Sequence, residues 1–113
     1  MKQSPIFART EDFVLWLMPR TMDFPRSQRF VLTKRLQDAA LDFQERILEA
    51  ALSQGPKQAE RLEEADITLA KVRFYLRLVH GMEWLKPGQY EHAARMVAEI
   101  GRLLGGWRKS GSK

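Results

Sequence analysis

The sequence contains no cysteine and only two histidines, His80 and His92, so it lacks most of the side chains that bind metals or act as nucleophiles. Neither histidine belongs to an HExxH or ExxH pair, the spacing that places two ligands on one helix face. We find no other set of residues suited to acid, base or nucleophilic chemistry. We therefore expect a protein that is not an enzyme, with no catalytic residue, no metal site and no cofactor.

Long hydrophobic runs are also missing. The longest apolar stretches, such as residues 13–18, are far shorter than the roughly 20 residues that span a bilayer. The first ten residues lack the basic and then apolar pattern of a signal peptide. Because cysteine is absent too, we expect a cytoplasmic protein that does not bind a membrane.

The glycines of the last segment do not form a phosphate-binding loop. Gly101, Gly105 and Gly106 lie within a helical pattern rather than after a strand. Gly101 falls on the core-facing side of that pattern, where a missing side chain permits close approach of another helix.

The net charge of +5 is divided into blocks along the 113 residues. Residues 1–36 contain seven lysines and arginines against three acidic residues, residues 37–70 three against eight, and residues 71–113 nine against three. A basic surface attracts polyanions and releases their counterions. Solubility explains the overall charge equally well, so composition alone leaves both interpretations open.

Prolines and glycines divide the chain into four segments, which we predict to be helices of one domain spanning residues 1–113. The predicted helices cover residues 4–22, 25–53, 56–82 and 87–108, and a flexible basic tail follows at residues 109–113. Pro19 is expected to kink or end the first helix. Each of the other three begins near a proline, which the first turn of a helix tolerates.

Apolar residues recur every three or four positions in the last three segments, the spacing of one helix face. They are Leu32, Leu36, Ala39, Phe43, Ile47 and Ala50 in the second, Leu62, Ala65, Leu69, Val72, Leu76 and Val79 in the third, and Tyr90, Ala93, Val97, Ile100, Leu104 and Trp107 in the fourth. Short connections between long amphipathic helices favour antiparallel neighbours. We predict an all-α, up-down-up-down four-helix bundle.

Two of the predicted helices carry a second apolar stripe opposite the first. Its members are Phe30, Leu41, Leu48 and Leu52 in the second helix and Ile67, Phe74, Leu78 and Met82 in the third. A helix in a lone bundle needs only one buried stripe, and another copy of the chain is the simplest cover for a second. We predict a homo-oligomer, the alternative being that these are scattered surface residues.

Several basic residues share helix faces or cluster at one helix end, which makes nucleic acid the predicted partner. Arg73 and Arg77 lie four residues apart on one face of the third helix. In an antiparallel bundle the end of this helix lies beside the start of the second, so Arg26 and Arg29 are predicted to join them in one basic region. Guanidinium groups suit forked contacts with phosphate. The candidate binding residues are Arg26, Arg29, Lys34, Arg35, Arg73, Arg77, Arg95 and Arg102.

Three stretches of the sequence resemble the accessory variability determinant (Avd) proteins of diversity-generating retroelements. They are Phe24-Pro25-Arg26 with Arg29-Phe30-Val31-Leu32 and the helix to Ala50, residues 65–78, and residues 99–107. The similarity runs in order from Met22 to Trp107, which makes it more specific than any short motif. Pro19 also lies where family members have a proline.

This resemblance implies a four-helix protomer that assembles into a homopentameric barrel with a basic surface. It also implies binding to the retroelement's template RNA and reverse transcriptase, in support of mutagenic cDNA synthesis. By position, Arg73 and Arg77 are the first candidates for contact with RNA or polymerase, followed by Arg102. Alternatively, these arginines pair with Asp66, Glu63 or a neighbouring protomer.

Two further interpretations stay open at this point. The chain also shares its general layout with the four-helix proteins encoded by intervening sequences in ribosomal RNA genes, although its second helix matches them less well. A purely structural oligomer would instead use the second apolar stripes to bind a helix of another protein.

Overall fold

A computed structural model describes residues 5–111 of the chain. Over this range the chain forms four α-helices and one 3-10 turn, with no β-strand. The helices are α1 (Pro5–Thr21), α2 (Leu32–Ala51), α3 (Gly55–Gly81) and α4 (Pro87–Gly111), and the 3-10 turn is Arg26–Gln28.

The four helices form an antiparallel bundle. Each helix packs against the next one in the chain, and α1 also packs against α4. Phe7 at the start of α1 contacts Trp107 near the end of α4, whereas Trp16 near the end of α1 contacts His92 near the start of α4. The longest dimension of 45 Å is close to the length of one helix of 27 residues at about 1.5 Å per residue. The predicted all-α four-helix architecture is therefore confirmed.

The predicted apolar stripes form the core. Of the eighteen residues in the three stripes, all are buried except Leu32, Tyr90 and Trp107, which are half-buried near helix ends. α1 completes the core with Ile6, Phe13 and Leu17. Three- and four-residue spacing thus predicts burial well in the middle of the helices.

The second helix begins later than predicted. The chain does not enter α2 at Pro25, because Gln28 N–H donates to Pro25 O and Arg29 N–H to Arg26 O, the i to i−3 bonds of a 3-10 turn. Val31 then adopts φ −119° and ψ −102°, a non-helical conformation that separates the turn from α2. The prediction of a helix from residue 25 was therefore wrong, and Arg26 and Arg29 lie outside α2.

α1 ends at Thr21, within one residue of its predicted end, and Thr21 Oγ1 donates to Met18 O at 2.7 Å. Pro19 lies inside this helix and does not end it. The end of the last helix differs from its predicted position. α4 continues to Gly111, so residues 109–111 of the predicted flexible tail are helical. Residues 112 and 113 of that tail, and residue 4 of the predicted first helix, lie outside the described residues.

The turn after α3 sets the alignment of α4 against it. Glu83 N–H donates to His80 O and Trp84 N–H to Val79 O, and Glu83 takes a φ of 65°. A residue in this left-handed conformation, most often glycine, commonly closes a helix in this hydrogen-bonding pattern. The chain then returns along α3, and the ring of Tyr90 stacks on that of His80.

None of the helices formed by residues 5–111 combines the length and the apolar character needed to cross a bilayer.

Candidate nucleic-acid interface

Arg73 and Arg77 lie together in a cleft between α3 and α4, which we call the α3–α4 cleft. They come from consecutive turns of α3 on the side that faces α4, because residues four apart lie on one helix face. On α4, the small side chains of Ala94 and Ala98 leave the floor of the cleft open. The cleft has a volume of about 120 Å³ and is lined by Arg73, Leu76, Arg77, Tyr90, Ala94, Val97 and Ala98.

Gly101 makes room for the guanidinium group of Arg73. A Cβ atom at Gly101 would lie 2.5 Å from Nη2 of Arg73 and 3.7 Å from Cδ2 of Leu69. The first distance is too short for a real contact, so the guanidinium occupies space that another residue at position 101 would fill. The predicted close approach at Gly101 is therefore made by an arginine side chain as well as by the core.

Neither arginine of the cleft forms an ion pair with any residue in the range 5–111. Asp66, one of the partners considered from the sequence, binds Arg108 at 3.0 Å instead. Arg73 is half-buried and Arg77 is exposed. Both guanidinium groups therefore keep donors for a ligand, and a phosphate or carboxylate group would match their geometry.

An aromatic pair lies at the end of the cleft nearest the α3–α4 turn. The rings of His80 and Tyr90 are parallel, with centroids 4.1 Å apart and an interplanar angle of 5°. His80 Nδ1 is buried and has no hydrogen-bond partner within the described part of the chain. Tyr90, which its spacing predicts to be a core residue, lies half-buried in the lining of the cleft. Its place in the first turn of α4 could have indicated this, because residues of an apolar stripe near a helix end are often only partly covered.

Lys34 and Arg35 lie in a different depression, the α2–α3 groove, with a volume of about 550 Å³. Carboxylates share this groove: Lys34 Nζ lies 2.6 Å from Asp38 Oδ2. The groove is lined by Phe30, Val31, Lys34, Arg35, Asp38, Ala39, Asp42, Arg46, Thr68, Lys71 and Tyr75.

Arg46, another cation of the α2–α3 groove, is also paired with a carboxylate. Its Nη1 donates to Glu49 Oε1 at 2.7 Å, and this hydrogen bond is the main cause that raises the pKa of Arg46 above its ordinary value. Desolvation by burial opposes the rise, while the negative charges of Glu49, Asp42 and Glu45 add to it. This cation is held by acidic residues of its own helix.

Arg26 and Arg29 line a third depression, of about 360 Å³, between the end of α1 and the start of α2. It shares no lining residue with the α3–α4 cleft. The sequence predicts that Arg26 and Arg29 join Arg73 and Arg77 in one basic region. In the structure the two pairs line different depressions. The cause is the 3-10 turn, which packs this segment against Thr21 and Gln37 on the α1 side of the bundle.

Arg95 and Arg102 lie on the exposed outer side of α4. Arg95 Nη1 is 3.9 Å from Glu91 Oε1, with both side chains largely exposed, so this pair contributes little to stability. Arg102 forms no ion pair with residues 5–111. These two cations extend the positive surface from the α3–α4 cleft across α4.

Cations, one tyrosine and apolar side chains line the α3–α4 cleft. Residues 5–111 hold no group of three or more histidines, cysteines or carboxylates able to bind a metal ion. A model of the bAvd-like family matches residues 5–111. The chain belongs to the bAvd-like family. No curated protein matches it.

The family match confirms the resemblance to Avd proteins that was found between Met22 and Trp107. The match also includes α1, whose residues are less distinctive. The chain thus belongs to a family of accessory proteins.

Proposed function

We propose that this bAvd-like protein is a non-enzymatic accessory protein of a diversity-generating retroelement. It binds the template RNA on the α3–α4 cleft and the adjoining face of α4, and it binds the reverse transcriptase that copies this RNA into mutagenic cDNA. The observation that carries the proposal is the pair Arg73 and Arg77, which lies without a carboxylate in a cleft of a chain that belongs to this family. The polymerase supplies the chemistry, and the accessory protein presents the RNA.

Phosphate contacts explain why two free arginines matter more than the net charge. Each phosphate neutralised releases counterions, so the logarithm of the binding constant falls with the logarithm of the salt concentration by about 0.7 to 0.9 per contact. A hydrogen bond to a charged group contributes about 1.5–3 kcal/mol when the partner is available. Arginines already held by carboxylates give less, because the existing pair must first be broken.

The test replaces Arg73 and Arg77 together by alanine and measures RNA affinity by fluorescence anisotropy over a series of salt concentrations. We expect a loss of about 10- to 100-fold and a salt slope smaller by about 1.4–1.8, since two phosphate contacts disappear. The matched control replaces Lys34 and Arg46 by alanine, which removes the same charge from the α2–α3 groove, where carboxylates hold both cations. We expect it to change affinity by less than about threefold.

Equal losses in the two double variants would show that general basicity, and not this cleft, binds RNA. Wild-type protein with no salt-sensitive RNA affinity would favour the purely structural oligomer. A neighbouring reverse-transcriptase gene with paired template and variable repeats would support the retroelement role over that of the ribosomal-type four-helix proteins.

We propose further that the protein forms a homo-oligomeric ring, with five protomers as the resemblance implies. All eight residues of the second apolar stripes are exposed on the protomer. Leu41 and Leu48 lie on the same side of α2 as Gln37, which hydrogen-bonds Thr21 of α1, so they lie on the α1 side of that helix. The α2–α3 groove separates them from the stripe of α3, whereas Phe30 precedes α2 and lines the groove itself. One protomer thus presents two different apolar surfaces. Contacts between unlike surfaces give a ring when the rotation between protomers closes and an open filament when it does not, so we propose that the rotation closes here.

Size-exclusion chromatography with light scattering tests the ring. We expect Leu48→Glu and Phe74→Glu each to abolish the oligomer, because a charge cannot be buried unpaired in an apolar interface. A mixture of the two variants should give heterodimers, since one intact surface remains on each. A wild-type protein that is a stable monomer at micromolar concentration would refute the ring, and a mixture that stays monomeric would refute the pairing of unlike surfaces.

A further inference from the structure

The size of the α3–α4 cleft fits one planar ring. Its volume of about 120 Å³ is close to that of an engineered apolar cavity of about 150 Å³ that holds a benzene molecule. The apolar part of its lining comes from Leu76, Ala94, Val97 and Ala98. A space of this volume has room for one ring and is too small for a base pair.

Tyr90 gives this cleft an aromatic wall that is already fixed in place. Stacking on His80, with a centroid distance of 4.1 Å, sets the plane of the Tyr90 ring and covers one of its faces. Tyr90 also lines the cleft, beside Arg73 and Arg77. A ring held in this way loses little conformational freedom when a second ring stacks on it.

We infer that the α3–α4 cleft binds an unpaired base of single-stranded RNA against Tyr90, with the adjoining phosphates on Arg73 and Arg77. The inference rests on the proposed function and narrows it from RNA in general to unpaired nucleotides at one site. His80 supports the Tyr90 ring from the opposite face and is a positioning residue.

The juxtaposition of one aromatic wall and two free arginines favours a single strand over a duplex. Proteins that bind single strands combine a basic groove for the backbone with aromatic rings on which bases stack. In a duplex the faces of the bases are covered by their neighbours, and proteins recognise it mainly by shape and backbone contacts. Exposed arginines alone serve either form, whereas a ring-sized apolar cleft serves only an unpaired base.

The first experiment compares Tyr90→Leu with the wild-type protein, using labelled single-stranded RNA of about 12 nucleotides and a blunt-ended duplex of that strand with its complement. We expect Tyr90→Leu to weaken binding to the single strand about tenfold and to leave duplex binding unchanged. Tyr90→Phe keeps the ring and should bind like wild type. Tyr75→Leu is the matched control, because Tyr75 is a half-buried tyrosine of the α2–α3 groove.

A second measurement uses only wild-type protein, so it does not depend on the folding of a variant. The single strand is replaced by one of equal length and charge that carries abasic nucleotides. We expect the affinity to fall about tenfold, because a strand without bases keeps its phosphates but has nothing to stack. A cleft that instead takes an aromatic side chain of an acidic peptide would bind abasic and ordinary RNA equally, and this result would overturn the inference.

The outcomes separate the inference from the proposed function. If Tyr90→Leu and the abasic strand leave affinity unchanged while the Arg73 and Arg77 double variant weakens it, the base site is wrong and RNA binding stands. If the wild-type protein binds neither the single strand nor the duplex, the base site and the proposed RNA-binding function are both wrong.

Discussion

The two grooves that flank α3 differ in how their cations are paired, with four basic residues lining the α2–α3 groove and two lining the α3–α4 cleft. In the α2–α3 groove, Lys34 lies 2.6 Å from Asp38, and Arg46 is held by Glu49 at 2.7 Å. In the α3–α4 cleft, Arg73 and Arg77 have no carboxylate among the lining residues. The difference shows that the number of basic residues does not predict a binding surface; what matters is whether each cation already has a partner.

The charge blocks of the sequence explain where each kind of groove forms. The acidic block, residues 37–70, covers most of α2 and the first half of α3, so carboxylates lie beside the basic residues there. The basic block begins at Lys71 and contains the second half of α3 and all of α4. Where these two basic segments face each other, few carboxylates are present to neutralise them.

The largest expected effect comes from giving the α3–α4 cleft the carboxylates that the α2–α3 groove already has. We expect Ala94→Glu with Ala98→Glu to lower RNA affinity by about 100-fold, because Arg73 and Arg77 gain partners and the floor repels phosphate. Both alanines are exposed and glutamate is a good helix former, so the fold should be retained, as circular dichroism would verify.

The control for this variant places the same charge on α1 and on the first turns of α3. Ala8 and Ala59 are exposed helical positions outside the cleft, and their replacement by glutamate should lower affinity only a few-fold. If the two double variants lose affinity equally, the distinction between the two grooves has no bearing on RNA binding.

Much of the fold follows from periodicity, because burial on one helix face repeats every three or four residues. The stripe from Leu62 to Val79 was predicted and is buried at every position. The start of α2 was not predictable in the same way, since Pro25 suits the first turn of an α-helix and of a 3-10 turn alike. The backbone conformation of Val31 decides between them, and no apolar pattern encodes it.

The candidate site was predictable only within single helices. Spacing places Arg73 beside Arg77, but their contacts on α4 depend on how far α4 is shifted along α3. The turn at Glu83 fixes that shift, and with it the approach of Arg73 to Gly101 and of His80 to Tyr90. Sequence spacing carries no information about alignment between helices.

Gly101→Ala, for which we expect the smallest change in affinity, tests the position of the Arg73 guanidinium group in the cleft. Gly101→Ala puts a Cβ where Nη2 of Arg73 now lies, 2.5 Å away, so the guanidinium must move out of its place in the cleft. We expect RNA affinity to fall about two- to fivefold, as one charge-assisted contact is weakened without loss of the charge. Because the displaced group is the end of a flexible side chain, the protein should still gain up to about 1 kcal/mol of stability from replacing a glycine inside a helix.

Gly105→Ala is the control, since nothing lies within 4 Å of a Cβ at that position of α4. It should give the same gain in stability by thermal unfolding and leave RNA affinity unchanged. If Gly101→Ala destabilises the protein, Arg73 is held rigidly against α4 and cannot adjust to a phosphate. If both variants lower the affinity equally, the place of the Arg73 guanidinium over Gly101 is unrelated to binding, and the free arginines act by their charge alone.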